Sequence, residues 1–389
     1  MKENIRKRAK IIIQYNCIPH YRANIFELLS NYKPIKFKII ADNQTDTPFL
    51  ETITGDKKNG IRHVYARNWI IKIPKVHDIY WQPDVIRMIL SERPNAIIAL
   101  GSPYSLTAWV LLLLGMILKI PVFLWTHGLL GNESGPKWYF RKLFYNLATG
   151  LYLYGDHAKQ ILIKKGFSEN KLHVVYNSLD YDKQLEVVNT ITQDDIRLVR
   201  DNLGVHDNER LVIFTGRLTR IKKLEQLIKA AYLLNKKNHK VHIAFIGDGP
   251  ERQNLHEMSI NLGISKYVHF LGALYDEYII GKMISASDLC VIPSGAGLSV
   301  MHSMVYGTPV LLHDKYENHF PEWEAVIDGS TGFFYRYNDI YDMVYKMELA
   351  LFPLPMKRKM EEACRNMIKD RYNPHKQLEV FVEQIKRVV

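Results

Sequence analysis

Cysteine, acidic charge in the first half and long apolar runs are what this 389-residue sequence is short of, and each shortage removes a class of answer. Its three cysteines, Cys17, Cys290 and Cys364, are odd in number and far apart, so they read as buried thiols in a reducing compartment, not as a disulfide framework. The absence of any CxxC or Cys/His cluster removes the usual metal spacings, and no metal is expected. No GxGxxG follows a strand-like run, which argues against a dinucleotide-dependent dehydrogenase. The strongest apolar segment, AWVLLLLGMIL at 108–118, ends at Lys119 and is too short to span a bilayer, so a buried helix is expected there. At the start, MKENIRKRAK is basic, but the apolar run after it is only a strand long, and no secretory leader is expected. Repeats, low-complexity tracts and recognised nucleic-acid motifs are also missing, and nucleic acid is not an expected partner.

The shortage of acid is uneven. Residues 1–190 hold 26 Lys plus Arg against 15 Asp plus Glu, a net +11, whereas residues 191–389 hold 26 against 25, a net +1. The first half therefore carries nearly all of the overall +12. Such a bias suits an anionic partner, namely a membrane surface or a lipid-diphosphate acceptor, with Lys7, Arg8, Lys57 and Lys58 as candidate contacts. A solvated basic face without a partner is the alternative.

What is present is an alternation of strand and helix signals. AKIIIQYN, YRANIFELLS, IKFKIIAD, PDVIRMILSE, NAIIALG, the apolar segment at 104–118, PVFLWTHG, WYFRKLFYNLA and GLYLYG follow one another in the first half. This order predicts an α/β fold with a parallel, doubly wound sheet. The strands stop after HVVYNSLDYD, a charged stretch follows, and the pattern restarts at RLVIFTG. The expected division is a first domain over 1–182, a linker over 183–208, a second domain over 209–370 and an amphipathic terminal helix over 371–389.

Four short words then stand in order: FTGRL at 214–218 with lysines close behind, FIGDGPE at 245–251, PSGAGLSVMHSMVYGTPV at 293–310 and PEWEAVIDG at 321–329. In each, an apolar run breaks into glycine, which lets a backbone approach a ligand and turn its amides toward an anion. The third word reads as a buried strand, a glycine turn at Gly295 and Gly297, and a helix beginning near Leu298 and Ser299. A diphosphate fits the head of such a helix without a metal. Taken alone, the same pattern is an ordinary strand-to-helix crossover.

The four words together resemble the retaining glycosyltransferases of family 4, over nearly the whole chain. That resemblance implies the GT-B architecture, two facing Rossmann-like domains with a cleft between them, and a last helix that packs back on the first domain. It implies that Arg217, after Gly216, and Lys222 hold the donor diphosphate, with Lys223 where the family usually has glycine. Gly247 and Asp248 belong to a word that marks the fold more than the chemistry. The family also carries two glutamates eight apart around the glycine turn, one near the transferred sugar and one on the nucleotide ribose. Here those positions are Ser294 and His302. Ser294 can meet a sugar hydroxyl and His302 a ribose hydroxyl through a ring nitrogen, and a glutamate at 302 would restore the family contact. Glu322 and Glu324 are the remaining candidates for donor contacts, although Glu324 also reads as a first-turn helix acid.

On the acceptor side the candidates are words that end first-domain strands. His127 closes PVFLWTH, and the family often has a histidine here against the transferred sugar; a structural strand-end histidine is the alternative. Gly128, Gly131 and Gly135 after it suggest a mobile acceptor loop. His20, Tyr21 and Arg22 begin the first helix, where a positive charge is poorly placed for the helix dipole, so a ligand-facing role is expected. Asn177 matches the family's short turn at the end of the first domain. Asp180 and Asp182 spell DxD without its usual context and read as turn residues.

The expected activity is a metal-independent transfer of a sugar from a UDP- or GDP-linked donor to a glycan or lipid-linked acceptor, with retention, in cell-surface polysaccharide synthesis at the inner face of the plasma membrane. Arg217, Lys222 and His127 are the expected catalytic residues, and no cofactor beyond the nucleotide-sugar substrate is expected. A nucleotide-sugar epimerase on the same fold, or a non-catalytic nucleotide-sugar-binding subunit, are the rivals.

Overall fold

The computed structural model describes residues 8–45, 52–53, 61, 63–73, 78–131, 133–352 and 354–389, the side chains of 354–357 excepted. Lys7, Lys57 and Lys58 lie outside this set. The chain divides into two compact units, one of residues 1–180 with 374–389, the other of 181–373.

In the first unit β1 (Lys10–Cys17), β2 (Lys36–Asp42), β3 (His63–Tyr65), a small hairpin of β4 (Trp69–Ile71) and β5 (Ile79–Trp81), β6 (Ala96–Leu100), β7 (Val122–Thr126), β8 (Gly150–Leu153) and β9 (Leu172–Val174) alternate with helices. These are α1 (Ala23–Asn31), α2 (Pro83–Glu92), α3 (Leu106–Leu118), α4 (Gly135–Asn146) and α5 (Asp156–Lys164). The main sheet runs β3-β2-β1-β6-β7-β8-β9, all parallel, so the order reverses between β1 and β6. Alternate residues of β1 serve opposite faces: Ile11, Ile13 and Tyr15 pack with Phe26, Trp125 and Tyr152, and Ile12 packs with Val85, Leu111 and Phe144. The terminal helix, Pro374–Lys386, belongs to this unit and buries Phe381, Val382 and Ile385 in the first of those cores. Each such side chain contributes roughly 1.5–3 kcal/mol by leaving water.

The second unit holds β10 (Arg210–Thr215), β11 (Val241–Ile246), β12 (Val268–Gly272), β13 (Leu289–Val291), β14 (Val310–His313) and β15 (Gly332–Tyr335). They form a parallel sheet in the order β12-β11-β10-β13-β14-β15, with every residue of β11 buried, as a strand covered on both faces requires. Its helices are α6 (Tyr181–Thr190), α7 (Gln193–Asn202), α8 (Leu224–Lys236), α9 (Arg252–Asn261), α10 (Glu277–Ser285), α11 (Leu298–Val305), α12 (Ile340–Leu351) and α13 (Leu354–Asp370), and α14 is the terminal helix of the first unit. The expected linker over 183–208 is thus corrected. Those residues form most of α6 and all of α7, and a capping box of Thr192 with Asp195 starts α7. Asp195 also meets Lys282 of α10 at 2.6 Å, and Arg200 meets the buried Asp288 before β13 at 3.2 Å, which ties α7 into the second core.

In open sheets of this kind ligands bind beyond the carboxyl ends of the strands where the order reverses. That rule selects the ends of β10 and β13 in one unit and of β1 and β6 in the other.

Candidate active site

The end of β10 is Gly216 and Arg217, and it is stitched to the end of β11. Gly216 N–H donates to Ile246 O at 2.9 Å, Leu218 N–H to Asp248 O at 3.0 Å, and Glu251 N–H back to Leu218 O at 3.1 Å. Gly247 has φ 137°, and a Cβ there would lie 2.0 Å from Gly216 O, so only glycine allows the two turns to touch. Asp248 accepts from Gly249 N–H at 2.7 Å and faces Arg252 at 3.5 Å, a loop-shaping role. Arg217 is exposed on this platform.

A 3-10 turn over Arg220–Lys222 then carries Lys222, whose Nζ donates to Gly295 O. Burial holds its pKa below the usual lysine value. Lys223 has φ 52°, the left-handed region, which explains why glycine suits this position. Here lysine is held instead by Tyr337 Oη at 2.6 Å, Asn338 Oδ1 at 2.8 Å and the face of the Tyr337 ring.

After β13, Ser294 is buried and Gly295 turns the chain with φ 64°. Gly297 has φ −154° and ψ −133°, outside both the helical and the extended regions, and a Cβ there would come within 3.3 Å of the Phe320 ring, so both glycines shape the turn. Leu298 and Ser299 head α11, and their amides have no acceptor within the helix. Two contacts from beyond β14 fix the turn from behind. His319 Nδ1 accepts from Ala296 N–H at 3.1 Å while its Nε2–H donates to His313 O at 3.0 Å, and Phe320 N–H donates to Ala296 O at 2.7 Å. Phe320 leads directly into the 3-10 turn Pro321–Ala325, on which Glu322 is buried and Glu324 is half-buried. Glu324 starts no α-helix.

His319 must be neutral to accept that bond, and burial, aided by the Lys222 charge, pushes its pKa down to about 4; burial and His319 push the neighbouring His313 down to about 3. The unfolded chain therefore takes up these protons first, so the stability they represent is intact above about pH 6.5 and drains as pH falls toward 4. Urea midpoints are expected to fall over that range, and less steeply in His319→Asn; equal slopes would contradict the assignment.

His302 projects from α11 with its Nε2–H on Glu277 Oε1 at 2.8 Å, and the same oxygen accepts from Tyr306 Oη at 2.7 Å. Burial raises the Glu277 pKa, but hydrogen bonds from His302, Tyr306 and Gln184 overcome it and leave the carboxylate below its usual range. Glu277 thus orients the ring, and in the neutral tautomer with its proton on Nε2 the Nδ1 atom is an acceptor. Neither Glu277 nor His319 lies in a glycine word, and sequence reasoning missed both.

In the first unit, β7 ends at Thr126 and His127. The His127 ring is solvent-accessible and lies against Tyr154, 4.5 Å between centroids. Surrounding burial and the nearby Arg22 charge hold its pKa below the usual value, so it is a neutral ring at pH 7. In the loop after it, Glu133 accepts from Leu130 N–H at 2.8 Å and Gly131 N–H at 2.9 Å and pairs with Arg141 at 3.3 Å. Arg22 does not face solvent. Its guanidinium is buried, donates to the hydroxyls of Tyr15 and Tyr154, and lies over the rings of Trp125 at 5.1 Å and Tyr154 at 4.8 Å. His20 remains exposed and Tyr21 half-buried on the 3-10 turn before α1. Asn177 is buried, with its Oδ1 on Ser178 N–H at 3.1 Å, and Asp180 accepts from Asn24 of α1 at 2.5 Å. Arg217 and the glycine turn that Lys222 meets thus follow the paired strands β10 and β13, with His302 on α11 and Glu322 on the 3-10 turn after β14, while His127 follows β7 of the first unit near Arg22. Among the described residues no cluster of three or more His, Cys, Asp or Glu side chains could hold a metal.

Two family models match the chain. One, described as glycosyl transferases group 1, covers residues 195–367, and the other, Glycosyltransferase Family 4, covers residues 33–183. An uncharacterised glycosyltransferase of Methanocaldococcus jannaschii is 33% identical over 151 residues, 37% of this chain and 36% of the relative. An alpha-monoglucosyldiacylglycerol synthase of Streptococcus pneumoniae is 29% identical over 126 residues, 32% of this chain and 28% of the relative. The matches therefore span well under half the length of these relatives. Among solved structures, Anabaena HepE in complex with UDP superposes with a TM-score of 0.73 at 17% identity, covering 97% of this chain and 100% of that one. The lipopolysaccharide outer core galactosyltransferase WaaB gives 0.68 at 13% identity, covering 96% and 99%. These likenesses show the fold, the GT-B pairing of two Rossmann-like domains.

Proposed function

Given that the chain belongs to the glycosyltransferases of group 1 and family 4, we propose that it moves a sugar from a nucleotide-diphospho-sugar to a hydroxyl of a glycan or lipid-linked acceptor with retention of configuration. The observation that carries this reading is the joining of Lys222 Nζ to Gly295 O at the turn that leads to the open amides at the head of α11, with Arg217 at the end of the neighbouring strand β10. Two cations and a helix head at neighbouring strand ends would suit a diphosphate. As the sugar departs, negative charge grows on the diphosphate, and preorganised donors of this kind are worth roughly 3 kcal/mol each. A donor phosphate oxygen takes the acceptor proton, so no protein nucleophile is needed, and the positive charge comes from side chains instead of a metal. Neutral His127 is suited to hydrogen-bond the transferred sugar. UDP, present in the HepE structure, is the first nucleotide to test, and the name of the streptococcal relative, a glucosyldiacylglycerol synthase, brings a lipid acceptor into the same reading.

The Glu277–His302 pair answers for one missing glutamate. Together they present an acceptor nitrogen backed by one negative charge, as a glutamate would. A glutamate placed at 302 would face Glu277 directly, and two carboxylates at that distance repel, so His302→Glu alone is expected to lose donor affinity. His302→Ala is expected to weaken donor binding by about fivefold, or roughly 1 kcal/mol. The double variant His302→Glu with Glu277→Gln is expected to return close to the parent value in calorimetric titration. Unchanged binding in His302→Ala would move the ribose contact to Glu322 or Glu324.

The direct test of the donor class is thermal stabilisation by UDP-, GDP- and dTDP-sugars in EDTA. At a hundred times its dissociation constant the true donor adds about 2.7 kcal/mol. Stabilisation by none of them, or only with magnesium or manganese, overturns the reading.

A further inference from the structure

We propose that the outer faces of α3 and α4 form a docking surface for an anionic lipid leaflet. The inner side of α3 is buried by Thr107, Ala108, Leu111, Leu112 and Gly115, which is what the apolar segment was expected to do. The helix contains no charged residue, however, and its other side leaves Leu106, Leu113, Met116 and Ile117 in solvent, Ile117 being 75% exposed. On α4, Tyr139, Phe140 and Leu143 are exposed as well, Tyr139 at 71%. The Trp109 ring joins the two helices, 4.8 Å from Phe140, and stands three residues from Leu106 and four from Leu113 on the same helical face. Exposed apolar side chains scattered singly are ordinary, but a contiguous strip over two helices marks a contact surface.

Charge selects the occupant. Between residues 106 and 155 the only charged side chains are Lys119, Lys137, Arg141, Lys142 and Glu133, and Glu133 is already paired with Arg141. Lys119 is exposed at the end of α3, Lys137 is exposed in the first turn of α4, and Lys142 lies 5.9 Å from the face of Trp138. An apolar strip bordered by lysine and by Trp and Tyr rings is the composition of a helix surface lying in a bilayer interface. A second copy of the chain would oppose these lysines with the same lysines, whereas anionic head groups complement them. Among the described residues no helix is long and apolar enough to cross a membrane, so the contact lies on the leaflet.

Gly135, the first residue of α4, ends the loop that follows His127. Docking α4 therefore brings that loop to the leaflet, where a lipid-linked acceptor presents its head group. This last step rests on the proposed function; the docking itself does not.

The test is sedimentation of the full chain with phosphatidylcholine vesicles and with vesicles in which phosphatidylglycerol replaces part of the phosphatidylcholine, at low and high salt. Binding is expected on the anionic vesicles, falling with salt. The variant Leu113→Gln/Met116→Gln/Ile117→Gln is expected to lose at least tenfold of it. Lys137→Glu/Lys142→Glu is expected to lose about fivefold per reversed charge. The single change Ile117→Ser, at the most exposed position, is expected to weaken binding without touching the core. The unfolding midpoint of each variant reports that it is folded, and UDP binding measured alongside separates a failure of docking from a failure of the donor reading. Equal binding to both vesicle types, no binding in low salt, unchanged binding in all three variants, or self-association abolished by the triple variant would overturn the proposal.

Discussion

Lys222→Met is expected to lower turnover by about a hundredfold, and Arg217→Ala by a similar factor, with both proteins still folded. The two residues reach the same place by different routes. Arg217 is exposed at the end of β10, so its loss removes a charge from the diphosphate without disturbing a core. Lys222 is partly buried with its amine on Gly295 O, so its loss also releases the turn that aims the α11 amides. Turnover should fall in both variants, and donor affinity should fall further in Lys222→Met. The lowered lysine pKa has burial as its cause, and a diphosphate entering beside the amine would reverse that shift. Rates of donor consumption at saturating acceptor, with unfolding midpoints measured alongside, check this. Full rate in both variants would mean that the cradle is elsewhere.

Gly247→Ala is expected to destabilise the second unit by about 3 kcal/mol or more, through a left-handed φ and a clash that a new methyl cannot avoid. The methyl would lie 2.0 Å from Gly216 O. Neither strand end can retreat, because Gly216 donates to Ile246 O and Leu218 to Asp248 O. Relief by sliding would break those bonds and carry Arg217 with them. For a unit of this size the loss corresponds to a fall in melting temperature of roughly 6–12 °C, and donor affinity should drop together with it. Differential scanning calorimetry decides the point: an unchanged melting temperature contradicts the stitched arrangement of the two turns.

The sheet architecture was legible because buried parallel strands write themselves as short apolar runs, and the donor words because glycine marks close approach. The site residues that could not be read are those defined by partners far away in the chain. Glu277 is 25 residues from His302 and inside an ordinary helix, and His319 meets Ala296 only because β14 returns beside β13. A ligand-facing Arg22 is what a positive charge at a helix start, opposed to the dipole, leads one to expect. Its aromatic enclosure comes from Tyr15 on β1, Trp125 on β7 and Tyr154 just past β8, of which only the first is local in sequence. The helices over 183–208 are a different matter. Thr192 followed three residues later by Asp195 is a capping signal that was open to reading, and the charged composition of α7 obscured it. The basic first half pointed toward a membrane, whereas the described surface that best fits one is apolar with a lysine rim, on α3 and α4.

The measurement that tests the central claim most directly is transfer itself. Purified protein in EDTA would be given radiolabelled UDP- and GDP-sugars with diacylglycerol or lipid-linked oligosaccharide in anionic vesicles, and label would be followed into the organic phase. The account predicts label in one acceptor fraction, a new linkage with the anomeric configuration of the donor by NMR, and loss of about 99% of the signal in Lys222→Met. Binding of donor without transfer to any acceptor, a change in the sugar while it stays on the nucleotide, or an inverted linkage would contradict it.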